Sequence, residues 1–348
     1  ADVAAAITAG SFKSALDHYL TFGQSESREG SGVSATITTG STIALTTGVD
    51  TLSGTSSNDL FTAINEASVA AGDTLSSADT LDGGDGTDTL NITNTQSGAL
   101  AGLVTSNIEN LSIRSTDEDD TVETLDMTSL SGVTSVTLDD FTDGVTVSNA
   151  VLGTSFTITD ANGDNTADDI TLGYTGATGS SDAMTVNTSQ STIQQLVMDS
   201  VDTITLNNTG SKVTSIASLD ASDAETITIN NSTASVGSNP GLTVTAMGDN
   251  VATTMTITGA GSTTFTGAMS TALTSVDGSS ATGALDLNVS SNTNNLSVTT
   301  GSGNDRVELG ALGTNFNSAT NDVVNLGDGT DTIVITDTSL TAGDITLI

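Results

Sequence analysis

Gly83-Gly84-Asp85-Gly86-Thr87-Asp88-Thr89-Leu90-Asn91 fits the pattern Gly-Gly-x-Gly-x-Asp-x-apolar-x at every position. Glycines permit a tight corner whose carbonyl oxygens turn inward, in conformations that cost other residues more. The aspartate adds a carboxylate, and the apolar residue two places on starts a short strand. Two partial copies follow: Gly301-Ser-Gly303-Asn-Asp305-Arg-Val307 and Gly327-Asp-Gly329-Thr-Asp331-Thr-Ile333. The same Asp-x-apolar form recurs nine residues upstream of a second aspartate in three places: Asp79 before Asp88, Asp322 before Asp331, and Asp50 before Asp59. The expectation is that each pair marks two successive coils with carboxylates in register. Ca²⁺ takes six to eight oxygen ligands, which two stacked corners together can supply. The competing reading of all these motifs is an ordinary Gly/Asp turn between strands. Asp50 and Asp59 lack the full glycine set, and Asp79 and Asp322 have no glycine pair upstream.

Outward from these corners, the chain is a succession of short alternating segments. Leu111–Ile113, Val133–Leu138, Phe156–Ile158, Ile204–Leu206, Ile227–Ile229, Leu242–Val244, Met255–Ile257, Leu285–Leu287 and Ile333–Ile335 each read as a strand. Gly, Asn, Asp and Ser divide them, and a single proline, Pro240, interrupts the series. A sandwich would show longer strands and Asn-Gly hairpins. Short strands with periodic Gly/Asp corners favour an elongated parallel β-solenoid, all-β and of β-roll or β-helix type. A helix is expected over Phe61–Ala71, where Ala and Glu cluster. Residues 1–29 differ, with an apolar helical period through Ile7, Phe12, Leu16, Tyr19, Leu20 and Phe22. They read as a short helical segment, followed by a linker over Glu29–Ser34. The solenoid then spans 30–348, with a candidate division near 175–240.

Composition agrees with a thin core. Of 348 residues 35% are hydrophobic and 3% aromatic, with no Trp. There are 42 acidic residues against 5 basic ones, a formal charge of −37. Self-repulsion of that size opposes compaction, and bound cations are the remedy. No basic patch meets phosphates, so nucleic acid is not an expected partner, nor is an anionic membrane surface. No apolar run approaches the roughly 18 residues of a membrane span. There is no cysteine, so disulfides play no part. The first residue, Ala1, opens neither on Met nor on a basic leader, which reads as a fragment, a processed piece, or export without a cleaved N-terminal signal.

Catalytic patterns are missing from the sequence. One histidine, His18, excludes His-Glu-x-x-His, no Gly-x-Ser-x-Gly elbow occurs, and His18 reads as a packing or surface residue. The expectation is a protein that is not an enzyme. A further cation candidate is Asp160, Asn162, Asp164 and Asp168, whose spacing resembles the start of an EF-hand loop. Asn165 stands where that loop needs glycine and Thr171 where it needs Glu, so a solvated acidic loop remains the alternative. Asp117–Asp120 and Asp139, Asp140 and Asp143 read as solvated charge. Arg114 and Arg306 are expected to pair with neighbouring carboxylates.

The nonapeptides resemble those of RTX proteins. Leu273–Leu285, running into Thr300–Asp305, resembles the solenoid body of RTX-type bacterial surface-layer proteins. Asp2–Ile7, His18–Gly23 and Glu26–Arg28 are similar to a short helical repeat found in such secreted proteins. The resemblance implies type I secretion, Ca²⁺-driven folding outside the cell, and a structural S-layer subunit that self-assembles into a calcium-dependent lattice on the cell surface. It implies metal ligation by Gly83, Gly84, Asp85, Gly86 and Asp88, by Gly301, Gly303 and Asp305, and by Gly327, Gly329 and Asp331, with Asp50, Asp59, Asp79 and Asp322 as half-sites. A cell-surface polysaccharide is an implied partner, through a region outside this chain. Two alternatives stand beside it: a calcium-dependent adhesin or filament stalk, and the secretion and folding part of a larger extracellular enzyme.

Overall fold

The computed structural model describes residues 40–66, 72–100, 102–116, 121–161, 169–235, 241–248, 251–292, 294–310 and 323–336. All belong to the second of two compact units, Gly40–Ile348. The helical segment expected over 1–29, His18 and the linker lie outside them.

Every regular element among the described residues is a strand. In chain order the first are β1 (Thr42–Ala44), β2 (Thr51–Ser53), β3 (Leu60–Asn65), β4 (Thr80–Asp82), β5 (Thr89–Asn94), β6 (Val104–Ser106), β7 (Asn110–Ser115), β8 (Glu123–Asp126) and β9 (Ser135–Asp139). The middle of the body holds β10 (Val145–Ala150), β11 (Ser155–Thr159), β12 (Asp169–Tyr174), β13 (Ala183–Ser189), β14 (Thr192–Met198), β15 (Thr203–Asn208), β16 (Thr214–Asp220), β17 (Thr226–Asn231) and β18 (Leu242–Met247). The last are β19 (Thr254–Thr258), β20 (Thr263–Phe265), β21 (Ser275–Asp277), β22 (Leu285–Asn288), β23 (Ser297–Thr299), β24 (Arg306–Leu309), β25 (Val323–Asn325) and β26 (Thr332–Ile335).

The odd-numbered strands form one 13-stranded sheet in which each pairs, in parallel, with the next odd strand. The even-numbered strands form a 3-stranded sheet, β2-β4-β6, and a 10-stranded sheet from β8 to β26. Parallel neighbours two places apart in sequence are the signature of a coil that returns once per turn, so the chain is a parallel β-solenoid. Isolated bridges Ala99↔Thr124 and Thr105↔Leu130 carry the two smaller sheets past each other, so through this stretch a coil visits three faces. Both long sheets run through 175–235 with their pairing intact. The coil length varies: 18 residues separate Ser41 from Asp59, but 30 separate Thr157 from Asn187. Connectors absorb the difference while the ladders keep their register.

Alternation builds the core. In the odd sheet Phe61, Leu90, Leu111, Val136, Phe156, Val186, Leu206, Ile229 and Ile257 form one inward column, joined rung to rung. All are buried; burying each such side chain contributes about 1.5–3 kcal/mol. The neighbouring column begins apolar, with Ile92, Ile113, Leu138 and Ile158, and then turns polar at Thr188, Asn208 and Asn231. That change is tolerated because the amides bond along the axis: Asn208 Nδ2 donates to Asn231 Oδ1 at 2.9 Å, and Thr188 Oγ1 to Asn208 Oδ1 at 3.1 Å. A second amide ladder runs on the outer side from Asn187 through Asn207 to Asn230, at 2.9 and 2.8 Å.

The helix expected over Phe61–Ala71 does not form. Leu60–Asn65 is a strand held between β1 and β5, with Phe61 and Ala63 pointing into the core. Pairing on both edges outweighs the weak helical preference of Ala and Glu. Residues 67–71 lie outside the described residues.

Glycine is required where corners of successive coils touch. Gly261, Gly283, Gly303 and Gly329 occupy one column, and a Cβ on Gly283, Gly303 or Gly329 would sit 2.4, 2.7 or 1.9 Å from the carbonyl oxygen of the glycine one coil earlier. The adjacent column holds Gly301, whose added Cβ would lie 1.8 Å from the Ala281 carbonyl oxygen, whereas Gly102 has nothing within 4 Å. Gly301→Ala is therefore expected to cost about 1–3 kcal/mol of stability by overpacking, and Gly102→Ala to fall within about 0.5 kcal/mol of the parent. Denaturant melts of the two variants check this, and equal costs would remove the steric argument.

Candidate metal centre

The residue just before a strand recurs as a carboxylate that binds the coil before it. Asp79 Oδ1 accepts the backbone N–H of Asp50 at 2.9 Å, and Asp88 Oδ1 that of Asp59 at 2.6 Å. Glu109 Oε2 accepts the N–H of Asp88 at 2.8 Å, and Asp202 Oδ2 that of Asp182 at 2.8 Å. Near the far end, Asp305 Oδ1 accepts the Leu285 N–H at 2.8 Å, and Asp331 Oδ1 the Asp305 N–H at 2.9 Å. Each bond joins equivalent positions of consecutive coils, where the corner interrupts the ladder.

This geometry corrects the nine-residue pairing. Aspartates nine apart sit at different corners of the same coil, because β2 and β4 belong to one sheet and β3 and β5 to another. The carboxylates in register are Asp50 with Asp79 and Asp59 with Asp88, both 29 residues apart, and Asp305 with Asp331, 26 apart. Asp322 lies outside the described residues.

The second carboxylate oxygen separates two kinds of corner. Asp50 Oδ2 accepts the Thr46 N–H at 2.7 Å, and Asp79 Oδ2 the Ser76 N–H at 2.8 Å. Asp59 Oδ2 accepts the Thr55 N–H, and its pKa is lowered by that bond and by the one from Ser41. These three carboxylates close their own turns and are satisfied as anions without a metal. Asp88 and Asp305 differ. Both are almost completely buried, at 0% and 1% exposure, and in each the Oδ2 atom has no hydrogen-bond partner. A buried anionic oxygen without a partner carries a desolvation cost. At Asp88 burial pushes the pKa up; the Asp59 N–H opposes this, while Asp59, Glu109 and Asp82 add to it by repulsion.

The glycines of the nonapeptide make room for that oxygen. A Cβ on Gly83 would lie 2.5 Å from Asp88 Oδ2 and 1.8 Å from the Asn107 carbonyl oxygen. Gly54 stands in the same relation to Asp59 Oδ2, at 2.6 Å, one coil earlier. Gly84 and Gly86 have φ of +93° and +129° and pack against Thr55 and Ser57 of the preceding corner. Asp85 is exposed at the tip, and its contact with that corner is a backbone bond from its N–H to the Thr55 carbonyl at 3.2 Å. Gly301, Gly303, Gly327 and Gly329 line the second such corner, where Asp331 is half-buried.

Among the described residues no group of three or more His, Cys, Asp and Glu side chains is arranged to hold a metal. A cation here would draw on the two carboxylates of a register pair together with corner carbonyl oxygens, all hard donors of the kind Ca²⁺ takes. The unpartnered oxygens of Asp88 and Asp305 fit such an ion. Asp50 and Asp79, already turned onto their own backbones, fit it less well.

Asp160 stands apart. It is an exposed corner residue with φ of +51°, in a left-handed column with Asp140 and Gln190, beside a cleft lined by Arg114, Asp139 and Lys212. Asn162, Asp164 and Asp168 lie outside the described residues. Arg114 pairs with Asp140 at 2.8 Å, and Arg306 with Asp286 at 2.8 Å and Glu308 at 2.6 Å, as the sequence leads one to expect. Such half-exposed pairs contribute little. No helix among the described residues is long and apolar enough to cross a membrane.

The class is thus defined by its backbone: an all-β protein wound as a parallel β-solenoid, with carboxylates bridging its corners. A scan of family models and a search of curated proteins return no match to this chain.

Asp88→Asn separates a metal ligand from a turn cap. Asparagine keeps an oxygen for the Asp59 N–H and removes the buried charge. Because the folded state holds the Asp88 pKa up, the stability this group supplies is present at low pH and is lost as pH rises through the raised value. In chelator at pH 7 the variant is expected to match the parent or exceed it by up to about 1 kcal/mol. In millimolar Ca²⁺ the order reverses. Equal destabilisation in both buffers would make Asp88 a turn cap only.

Proposed function

We propose that this chain is a calcium-loaded structural subunit of a bacterial cell-surface layer, exported unfolded and wound into its solenoid outside the cell. The observation that carries the metal is the pair of buried, unpartnered carboxylate oxygens, Asp88 Oδ2 and Asp305 Oδ2, each at a glycine-lined corner with a second carboxylate in register. Asp88 and Asp305 are the residues that would hold Ca²⁺, with corner carbonyl oxygens and, at the second corner, Asp331 completing the set. The ion neutralises the charge that the corners concentrate, and its binding free energy becomes folding free energy. A chain of charge −37 gains most from this where free Ca²⁺ is plentiful, and extracellular modules work at 10⁻⁴–10⁻³ M. The surface-layer role is supported by the RTX-like sequence of the corners and by a body built as a stack of coils.

Circular dichroism during a calcium titration tests the metal. The expected result is a cooperative gain of β signal, reversed by chelator, with the Asp88→Asn/Asp305→Asn double variant needing at least tenfold more Ca²⁺. Electron microscopy of the loaded protein tests the role: ordered sheets are expected, while isolated rods favour the stalk reading. Full β signal and unchanged assemblies after exhaustive chelation, with no metal by elemental analysis, would overturn both.

A further inference from the structure

The first and last described coils match. Thr42–Ser53 comprises a three-residue strand, a six-residue corner from Leu45 to Asp50, and the start of a second strand. Val323–Val334 has the same plan, with a corner from Leu326 to Asp331. Aligned without a gap, Leu45 meets Leu326, Gly48 meets Gly329, Asp50 meets Asp331 and Thr51 meets Thr332. The inward positions are apolar in both: Ile43 with Val324, and Leu52 with Ile333.

Among the described residues both coils are outermost layers. β1 and β2 each have one partner among the described residues, and so do β25 and β26, because they end their sheets. Ile43 and Leu52 at one end, and Val324, Leu326 and Ile333 at the other, pack on the core but are only partly buried. An edge of this kind is a template for another strand. All pairings between strands are parallel, so a coil added at the β25–β26 end must enter with the polarity that β1–β2 already has.

We propose that the two ends dock head to tail, with β1 and β2 of one copy forming the next rung on β25 and β26 of another. This interface rests on the self-assembling role proposed above and names the surface that serves one direction of it. The register places Thr42 on Val323, Ile43 on Val324, Thr51 on Thr332 and Leu52 on Ile333. It also extends the carboxylate rule of the body: as Asp331 accepts the N–H of Asp305, Asp50 of the added copy accepts the N–H of Asp331. Two carboxylates then meet at the junction, as Asp50 and Asp79 already do within the body. The contact uses different surfaces on the two copies and does not close on itself, so it generates rows.

The chain has no cysteine, so engineered thiols report the register directly. Thr42→Cys and Val323→Cys are introduced together in the full chain; both positions are exposed. Across the proposed rung their Cα atoms would stand about 4.8 Å apart, within disulfide range. Within one copy they are separated by the height of the 13-stranded sheet, about 58 Å, so any link is intermolecular. The control pairs Thr42→Cys with Val104→Cys, an exposed position in the body. In calcium under mild oxidation the first variant is expected to give a ladder of dimers and higher multimers on a non-reducing gel, and the control none. Val324→Lys, which charges only the terminal layer, is expected to weaken assembly at least tenfold by sedimentation. Assemblies that form equally well with Val324→Lys, or that link the control as readily, would overturn the docking and leave the self-assembling role intact. A calcium-bound wild-type chain that stays monomeric, with its ends covered by its own terminal segments, would overturn both.

Discussion

A carboxylate reaching back to the N–H of the coil beneath it is the bond on which the rest of this molecule depends. A parallel ladder supplies its own hydrogen bonds along the strands, and the corners add scattered backbone bonds of their own, but the N–H just before the strand is left to a side chain where the chain turns. Asp79, Asp88, Glu109, Asp202, Asp305 and Asp331 fill that gap. Each satisfies a backbone donor that would otherwise be lost to the interior. The cost is charge. Five of the six bridges put an anion beside another anion one coil away, Asp305 to Leu285 being the exception, and where the second oxygen finds no turn N–H, as at Asp88 and Asp305, that oxygen is left without a partner.

The body meets the same axial requirement with neutral groups where it can. Asn208 and Asn231 do inside the odd sheet what the aspartates do at its start, bonding coil to coil without net charge. The outer Asn187–Asn207–Asn230 ladder repeats the device on the solvent side. The central coils thereby add amides and apolar columns to the Asp182–Asp202 bridge, while Asp88 and Asp305, the bridging carboxylates with an open oxygen, lie towards the two ends.

Much of the fold was legible because it is written in alternation. Phe156–Ile158, Ile204–Leu206, Ile227–Ile229 and Met255–Ile257 all lie within strands, and Asp59, Asp79, Asp88, Asp305 and Asp331 each immediately precede one. The stacking partner of each aspartate was not legible. It depends on how many residues a connector holds, and nothing local in Asp50–Asp59 reports that Asp79 closes the same corner 29 residues on. The helix expected at Phe61 failed for a related reason, since only the neighbours β1 and β5 reveal that this segment has two edges to fill. The amide ladders had a signal that went unused: Ile204-Thr-Leu-Asn-Asn208 and Ile227-Thr-Ile-Asn-Asn231 are nearly the same pentapeptide one coil apart.

Coil lengths from 18 to 30 residues on an unbroken ladder separate what holds the protein up from what it shows. The rungs set a fixed pitch, and the difference in coil length falls in the connectors between strands. Variation there changes the face presented to the surroundings without touching the spine. Connector length can therefore change while the girder stays the same, and a foreign peptide spliced into a connector inherits a mount of defined spacing.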